Sequence, residues 1–194
     1  MKFTLFFLAS ALTLFSFTFK EDKYTIDVKR SSIEWKATKV LGEHHGTIQL
    51  QSGSLHTENN QLKSGSFTAD MKSVEIDEMK GNSKQNLMNH LKSGDFFSVA
   101  DNPTSTFALI KVEQTAPERV NITGDLTIKG ITNTIIFPAT VKIQSKNIVA
   151  VAKGIKIDRT KFNIKYRSKS FFGDIGDKAI DDEFEISVNL LAKK

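Results

Sequence analysis

Four histidines are the residues of this chain best suited to acid–base or metal chemistry: His44, His45, His56 and His90. Neighbouring side chains on an extended segment point to opposite faces, so we expect that the adjacent pair in GEHHG does not share one site. No H-x-H or H-x-x-E-H spacing brings two imidazoles to one ion. The pattern therefore predicts histidines with structural hydrogen bonds at loop edges, and no metal site.

Acidic and nucleophilic residues form no catalytic motif either. The segment DKAIDDEFE, residues 177–185, lacks the spacing and the central glycine of a calcium loop and indicates a solvated turn before the last strand. No G-x-S-x-G and no glycine-rich phosphate loop is present. The chain has no cysteine, which excludes thiol catalysis, cysteine-bound zinc and disulfides. We predict a protein without enzymatic activity or cofactor, with a spatially assembled triad as the alternative.

The charge balance argues against nucleic acid as a partner. The net charge is +5, from 27 basic and 22 acidic residues, and the basic residues are scattered through the predicted strands. A nucleic-acid surface would show a contiguous Lys/Arg stripe interleaved with aromatic side chains. The mild positive charge is compatible with contact with an anionic membrane surface, but it also serves solubility alone.

Alternation of apolar and polar residues predicts β-structure from Tyr24 to the C-terminus. The predicted strands lie within residues 24–28, 33–37, 48–50, 67–71, 107–112, 120–128, 135–143, 148–157, 162–166 and 184–190. Short strands joined by Gly, Asn and Asp turns indicate one antiparallel sandwich or barrel. With 194 residues, of which 39% are hydrophobic, the chain suits one domain, predicted over residues 19–194.

One helix interrupts this β-pattern, at residues 82–92. Asn82 is the predicted N-cap, Gln85 follows at capping-box spacing, and Gly94 is the predicted stop. An apolar stripe must cover something apolar, and it continues beyond the helix; it consists of Leu87, Met88, Leu91, Phe96 and Phe97. The segment before the strand at Phe107 is therefore predicted to lie over the β-structure.

The first residues form a separate apolar segment. Lys2 precedes an uncharged run from Phe3 to Phe19 that is rich in phenylalanine, the pattern of a secretory signal. We predict a signal peptide at residues 1–18 and export of the remainder. The alternative is an uncleaved membrane anchor, because the run is near the lower length limit for crossing a bilayer.

Phenylalanines recur on one face of the predicted strands. Phe67, Phe107, Phe137, Phe162 and Phe184 take positions that alternation places together. In a sandwich they would interdigitate and fill the core, whereas in a wide barrel they would line a cavity for an apolar ligand. Periodicity is compatible with both arrangements.

Four segments, in this order, resemble the YceI-like family: SSIEWKATKVLGEHHGTI (31–48), HLKSGDFFSVADNPTSTF (90–107), GDLTIKGITNTIIFPATV (124–141) and IDRTKFNI (157–164). Together they extend over nearly all of the chain after the leader. One departure is Met88, where the family often has an acidic residue before the His-Leu pair.

The resemblance implies an all-β fold, an antiparallel lipocalin-like β-barrel with one short helix covering part of it. It further implies export to the periplasm or outside the cell, and sequestration of a long apolar lipid of polyisoprenoid or fatty-acyl type without catalytic, metal or cofactor residues. A homodimer of two barrels is compatible with it. The alternatives are an envelope interaction or structural protein with a filled core, and an enzyme acting on an apolar substrate.

The side chains expected to line the ligand site are mostly aromatic or branched. They are Trp35, Ile48, Phe67, Met71, Leu87, Leu91, Phe96, Phe97, Phe107, Ile122, Leu126, Phe137, Phe184 and Ile186.

Overall fold

A ring of antiparallel strands forms the body of the protein. The structure, a computed structural model, describes residues 20–173 and 175–194, so the predicted signal peptide lies outside the described residues. The strands are β1 (Glu21–Ile26), β2 (Ser32–Lys39), β3 (Gly42–Glu58), β4 (Gln61–Asp70), β5 (Thr104–Ala116), β6 (Arg119–Ile128), β7 (Ile131–Ile143), β8 (Asn147–Asp158) and β9 (Ile180–Lys193).

The strand order closes the sheet on itself. Neighbouring strands follow the order β1-β3-β2-β9-β8-β7-β6-β5-β4, and β4 pairs back onto β3. Because β1 and β2 both lie between β3 and β9, they share one position and the ring is an eight-stranded closed barrel. The predicted antiparallel barrel is confirmed, and the sandwich that periodicity allowed is wrong.

The long strand β3 closes the ring by pairing along both of its edges. Residues 42–48 pair with β2, residues 54–58 pair with β1 on the same edge, and residues 49–58 pair with β4 on the other. Beyond β4 the chain keeps pairing with β3, since the backbone of Glu75 exchanges two hydrogen bonds with Thr47, at 3.0 and 3.3 Å. On this edge the pairing of β3 thereby continues past the end of β4 to Thr47.

Two connections at one end of the barrel form what we call the cap: residues 71–103 after β4, and residues 159–179 between β8 and β9. The first contains helix α1 (Gly81–Lys92), and the two meet where the rings of His90 and Tyr166 pack at 4.5 Å. Within the described ranges, no helix has the length and apolar character needed to span a membrane.

The helix lies at the predicted position, but the predicted capping by Asn82 and Gln85 does not occur. It begins at Gly81, so Asn82 lies inside the first turn, and the N-cap residue Lys80 makes no side-chain capping bond. The Gln85 side chain bonds instead to Asn89, at 2.8 Å. The helix ends before Gly94, because both the N–H and the hydroxyl of Ser93 donate to the carbonyl of His90, at 3.1 and 2.8 Å.

The predicted strand at residues 162–166 is wrong. The chain instead turns through a 3-10 helix, Arg159–Phe162, and continues as the second connection of the cap. The carboxylate of Asp158 accepts bonds from the N–H and the hydroxyl of Thr160, at 3.0 and 2.6 Å, which bends the chain out of β8. Asn163 then takes a left-handed conformation, φ 57°, and ends the turn.

Apolar side chains fill the two ends of the barrel differently. At the end away from the cap, a floor cluster that includes Tyr24, Leu55 and Ile148 is almost completely buried. At the cap end, Val74 and Ile76 from the first connection lie against Trp35 and residues of β8. The barrel is therefore packed at its floor and covered at its top.

Gly46 allows the first connection of the cap to approach β3. A Cβ at this position would overlap the carbonyl oxygen of Glu75 and lie 3.0 Å from Nε1 of Trp35. The same carbonyl accepts a hydrogen bond from the Trp35 indole, at 3.1 Å. Only glycine leaves room for this three-way contact.

Gly46→Ala should lower the free energy of unfolding by about 1–3 kcal/mol, because the added methyl group must push Glu75 away from β3. Urea unfolding followed by the fluorescence of the single tryptophan measures it. Gly94→Ala is the matched control, since nothing lies within 4 Å of its Cβ position. Equal stabilities of the two variants would contradict the contact.

Candidate functional site

A cavity of about 210 Å³ lies inside the barrel between the floor cluster and the cap. Its walls are almost entirely apolar side chains from the strands and the cap. One water needs about 10–15 Å³ of such space and two or more polar partners, so this cavity is roomy enough for several waters but gives them few partners. Apolar cavities of about this size stay dry and bind apolar molecules.

The structure brings together nearly all of the side chains that the sequence predicted. Those that line the cavity are Trp35, Ile48, Phe67, Met71, Leu91, Phe96, Phe97, Phe107, Ile122, Leu126, Phe137, Phe184 and Ile186. Leu87 is the exception: it is half-buried one turn before Leu91 and packs against the apolar cluster at the cap end. The helix directs its last turn into the cavity, and Leu87 lies outside the described lining.

Three phenylalanines form a continuous aromatic wall. Phe67 and Phe107 stack with their planes 3° apart and their centroids at 5.4 Å, and Phe137 tilts against Phe107 at 5.7 Å. Successive strands β4 and β5 place the first two directly opposite each other. Rings held by such contacts form a rigid surface against which a flexible chain can lie.

Sequence reasoning missed several small and aliphatic members of the wall. Leu50, Leu55, Ala139 and Ile155 also line the cavity. Strand alternation places Leu50 on the face of Ile48, and Ala139 on the face of Phe137, so this signal was available in the sequence.

Aromatic contacts close the cap over the cavity. Phe96 packs against both Phe97 and Tyr166, with centroids at 6.4 and 5.5 Å. The edge of the His90 ring meets Phe96 at 5.0 Å. These contacts join the two connections of the cap, and they put the predicted Phe96–Phe97 pair at the boundary between cap and cavity.

Arg159 is a buried cation in the lining that the sequence analysis did not single out. It is 4% exposed, and its guanidinium donates to the backbone carbonyls of Ile164, Tyr166, Ile180 and Asp181 at 2.8–2.9 Å. Asp182 accepts a further bond at 3.5 Å. Burial lowers the pKa of Arg159 and the nearby aspartates oppose this, so the group stays charged and its donors are committed to the protein.

None of the four histidines lines the cavity as described. His44 and His45 both approach one carboxylate, Glu78 of the cap: Nδ1 of His44 lies 2.7 Å from Oε1, and Nδ1 of His45 lies 3.7 Å from Oε2. Both imidazoles thus approach one carboxylate although they are neighbours on β3, because Glu78 lies beside this edge of the strand. Within the described residues no group of three metal-ligating side chains forms.

A second hollow, of about 450 Å³, lies at the opposite end of the barrel. The turns β3–β4 and β5–β6 form it, with polar side chains that include Asn60, Lys63 and Glu118. It is larger but lined by polar groups, whereas the apolar cavity inside the barrel is the one that can hold a ligand by desolvation.

Asp182 fixes the second connection of the cap to β9. Burial raises the pKa of its carboxyl, but hydrogen bonds from Ser168 and Ser170 and the charge of Arg159 outweigh this and hold the pKa below its usual range. A carboxyl with a lowered folded-state pKa stabilises the fold above the unfolded pKa, and this contribution disappears as the pH falls through the folded value.

Asp182→Asn should therefore cost about 1–3 kcal/mol of unfolding free energy at neutral pH. The difference from the parent protein should shrink as the pH falls below about 4, the range in which the unfolded carboxyl takes up its proton. Urea unfolding at neutral pH and below about pH 4 measures the difference in unfolding free energy. Asp177→Asn is the control, because that side chain of the same connection is exposed. A pH-independent difference would contradict the role of the charge.

Comparison with known proteins agrees with this architecture. The model of the YceI-like domain matches residues 24–192. A UPF0312 protein of Pseudomonas aeruginosa (strain LESB58) is 37% identical over 86 residues, which is 40% of this chain and 42% of that protein; the chain thus spans less than half the length of this relative.

Solved structures share the fold at low identity. BcnA of Burkholderia cenocepacia superposes with a TM-score of 0.68 at 21% identity, covering 87% of this chain and 99% of that one. A polyisoprenoid-binding domain from Saccharophagus degradans, implicated in plant cell wall breakdown, gives 0.63 at 12% identity, with 88% and 97% covered. With the closed barrel, the cap and a domain match over almost every described residue, the chain belongs to the YceI-like family.

Proposed function

We propose that this protein is an exported carrier that sequesters a long apolar lipid, of polyisoprenoid or fatty-acyl type, inside its barrel. The observation that carries the proposal is the cavity inside the barrel, with its almost entirely apolar walls. The polyisoprenoid-binding domain of Saccharophagus degradans, which has the same fold, supports the choice of ligand class.

Desolvation supplies the affinity in this proposal. Each methylene that leaves water for the cavity contributes about 0.8 kcal/mol, so a few isoprene or acyl units bind usefully without a charged anchor. The stacked Phe67 and Phe107 provide a preformed wall, which reduces the ordering cost on the protein side. A filled core, the structural alternative, does not suit a barrel that leaves this much open space.

An enzyme acting on an apolar substrate is the less favoured function. General acid–base catalysis needs a titratable group within hydrogen-bond reach of the bound substrate. The histidines lie outside the lining, the donors of Arg159 are committed to protein acceptors, and Asp181, the acidic residue of the described lining, is exposed. Binding without chemistry therefore agrees better with the residues around the cavity.

Contact with a membrane surface fits the outer side of the cap. Phe171 and Phe172 are about half exposed, and Nζ of Lys165 lies 4.5 Å from the centre of the Phe171 ring. Aromatic side chains flanked by cations suit the interface of an anionic bilayer, from which a lipid would be collected. Pairing of two barrels into a homodimer stays a prediction.

Lipid should be found in the purified protein. Organic extraction followed by mass spectrometry is expected to release a long-chain isoprenoid or acyl lipid from the parent protein. Phe137→Glu should lower the yield at least about tenfold, because a buried carboxylate cannot share the cavity with hydrocarbon. Ile136→Glu is the matched control, since this neighbour on β7 is 70% exposed on the outer face.

A cavity-filling variant separates loss of binding from misfolding. Ala139→Leu adds three carbons to the same wall and should reduce the yield of lipid while the protein still unfolds cooperatively. Equal lipid in all variants, or none in the parent protein, would refute the carrier function.

Export is proposed from the leader. With a C-terminal tag in a Gram-negative host, the full chain should appear in the periplasm or medium, with a mature N-terminus near Phe19. Deletion of residues 2–18 should keep it in the cytoplasm. Unprocessed full-length protein in the cytoplasm would contradict export.

A further inference from the structure

Ser105 is a polar side chain in the apolar wall of the cavity. It lies near the start of β5, opposite Ala69 of β4, and shares the inward face of β5 with Phe107. It is only 9% exposed, and its hydroxyl has no hydrogen-bond partner among the described residues. A buried hydroxyl without a partner destabilises a protein, so it calls for a specific explanation.

The other buried polar atoms without a hydrogen-bond partner lie away from the cavity, unlike the hydroxyl of Ser105. Nε2 of His90 and Oδ1 of Asn147 also have no partner among the described residues, but neither residue lines the cavity. Ser105 thus combines burial, a free hydrogen-bonding group and access to the ligand space.

We infer that the Ser105 hydroxyl recognises an uncharged oxygen, a hydroxyl or a carbonyl, at the cap end of the apolar ligand. This inference rests on the proposed function. A hydroxyl can donate to a carbonyl and can accept from another hydroxyl, so either group satisfies it. The bound lipid is then oriented, with its oxygen beneath the cap beside Met71 and its hydrocarbon chain towards the floor cluster.

The lining argues against a charged group at this point. Arg159 is the cation in the described wall, and its guanidinium is committed to backbone carbonyls of the cap and of β9. A carboxylate or phosphate beside Ser105 would be desolvated with a single neutral donor, which does not compensate the loss of water. The ligand class is therefore an alcohol, ketone, quinone or ester with a long apolar chain.

A matched pair of probes tests the inference: farnesol, and the deoxy hydrocarbon in which a methyl group replaces its CH2OH. The protein is equilibrated with both, separated by gel filtration, and the ratio of bound probes is measured by mass spectrometry. The difference in hydration between the probes is the same for every protein variant. The change in ratio between variants therefore reports the cavity alone.

Ser105→Ala should lower the ratio of bound farnesol to bound hydrocarbon about tenfold, the factor expected for one net hydrogen bond. Ser66→Ala, an exposed position on β4, should leave the ratio unchanged. A ratio in Ser105→Ala within about twofold of the parent value would overturn the inference alone, provided that both probes bind. Failure of the parent protein to bind either probe would overturn the carrier function as well.

Two further readouts separate recognition from a structural role. The melting temperature of ligand-free Ser105→Ala should equal or exceed that of the parent protein, because the substitution removes an unpaired hydroxyl. A melting temperature lower by about 4 °C or more would mean that the hydroxyl bonds within the protein, and would overturn the inference. Farnesoic acid at about pH 8, where it is ionised, should bind at least about tenfold more weakly than farnesol. Equal binding would refute the preference for an uncharged oxygen.

Discussion

Pairing of β3 along both edges is the constraint on which the rest of this structure depends. One strand takes its hydrogen bonds from β2 and β1 on one side, and from β4 and the Glu75 segment on the other. Most of both edges of β3 is thereby paired within the chain, and the sheet curves until it closes. Gly46 permits this closure at the cap end, because any side chain there would occupy the place of Glu75.

A closed ring also explains why the interior keeps open space. The backbone hydrogen bonds set the circumference, so the inward side chains cannot approach each other as two sheets of a sandwich can. Large residues such as Tyr24 and Leu55 fill the floor of the barrel. In the middle, phenylalanine rings of neighbouring strands stack on each other and line the cavity. A cavity of apolar walls is the consequence of this geometry, and side chains of the cap line it at one end.

Alternation predicted most strands and most of the wall because each depends on a local period of two. The predictions from alternation are wrong where contacts between residues distant in sequence determine the local structure. Phe162–Tyr166 has the alternation of a strand, but the Asp158–Thr160 turn and the carbonyl bonds of Arg159 hold it in the cap. Leu87 has helical spacing with Leu91, yet the tilt of α1 is set by tertiary packing. Ser105 was passed over because the predicted strand began at Phe107, two residues later.

Arg159 and Ser105 show how polarity is distributed around an apolar ligand space. Both are buried in the lining, but the guanidinium donates to four backbone carbonyls of the cap and of β9 and to the carboxylate of Asp182. The charged guanidinium thus holds the second connection of the cap in place and is not available to bind a ligand. The hydroxyl, which the protein leaves without a partner, is the group that can discriminate between ligands. Arg159 therefore contributes to stability and Ser105 to ligand selectivity, at the same end of the barrel. Replacing Ser105 need not lower the stability that Arg159 provides.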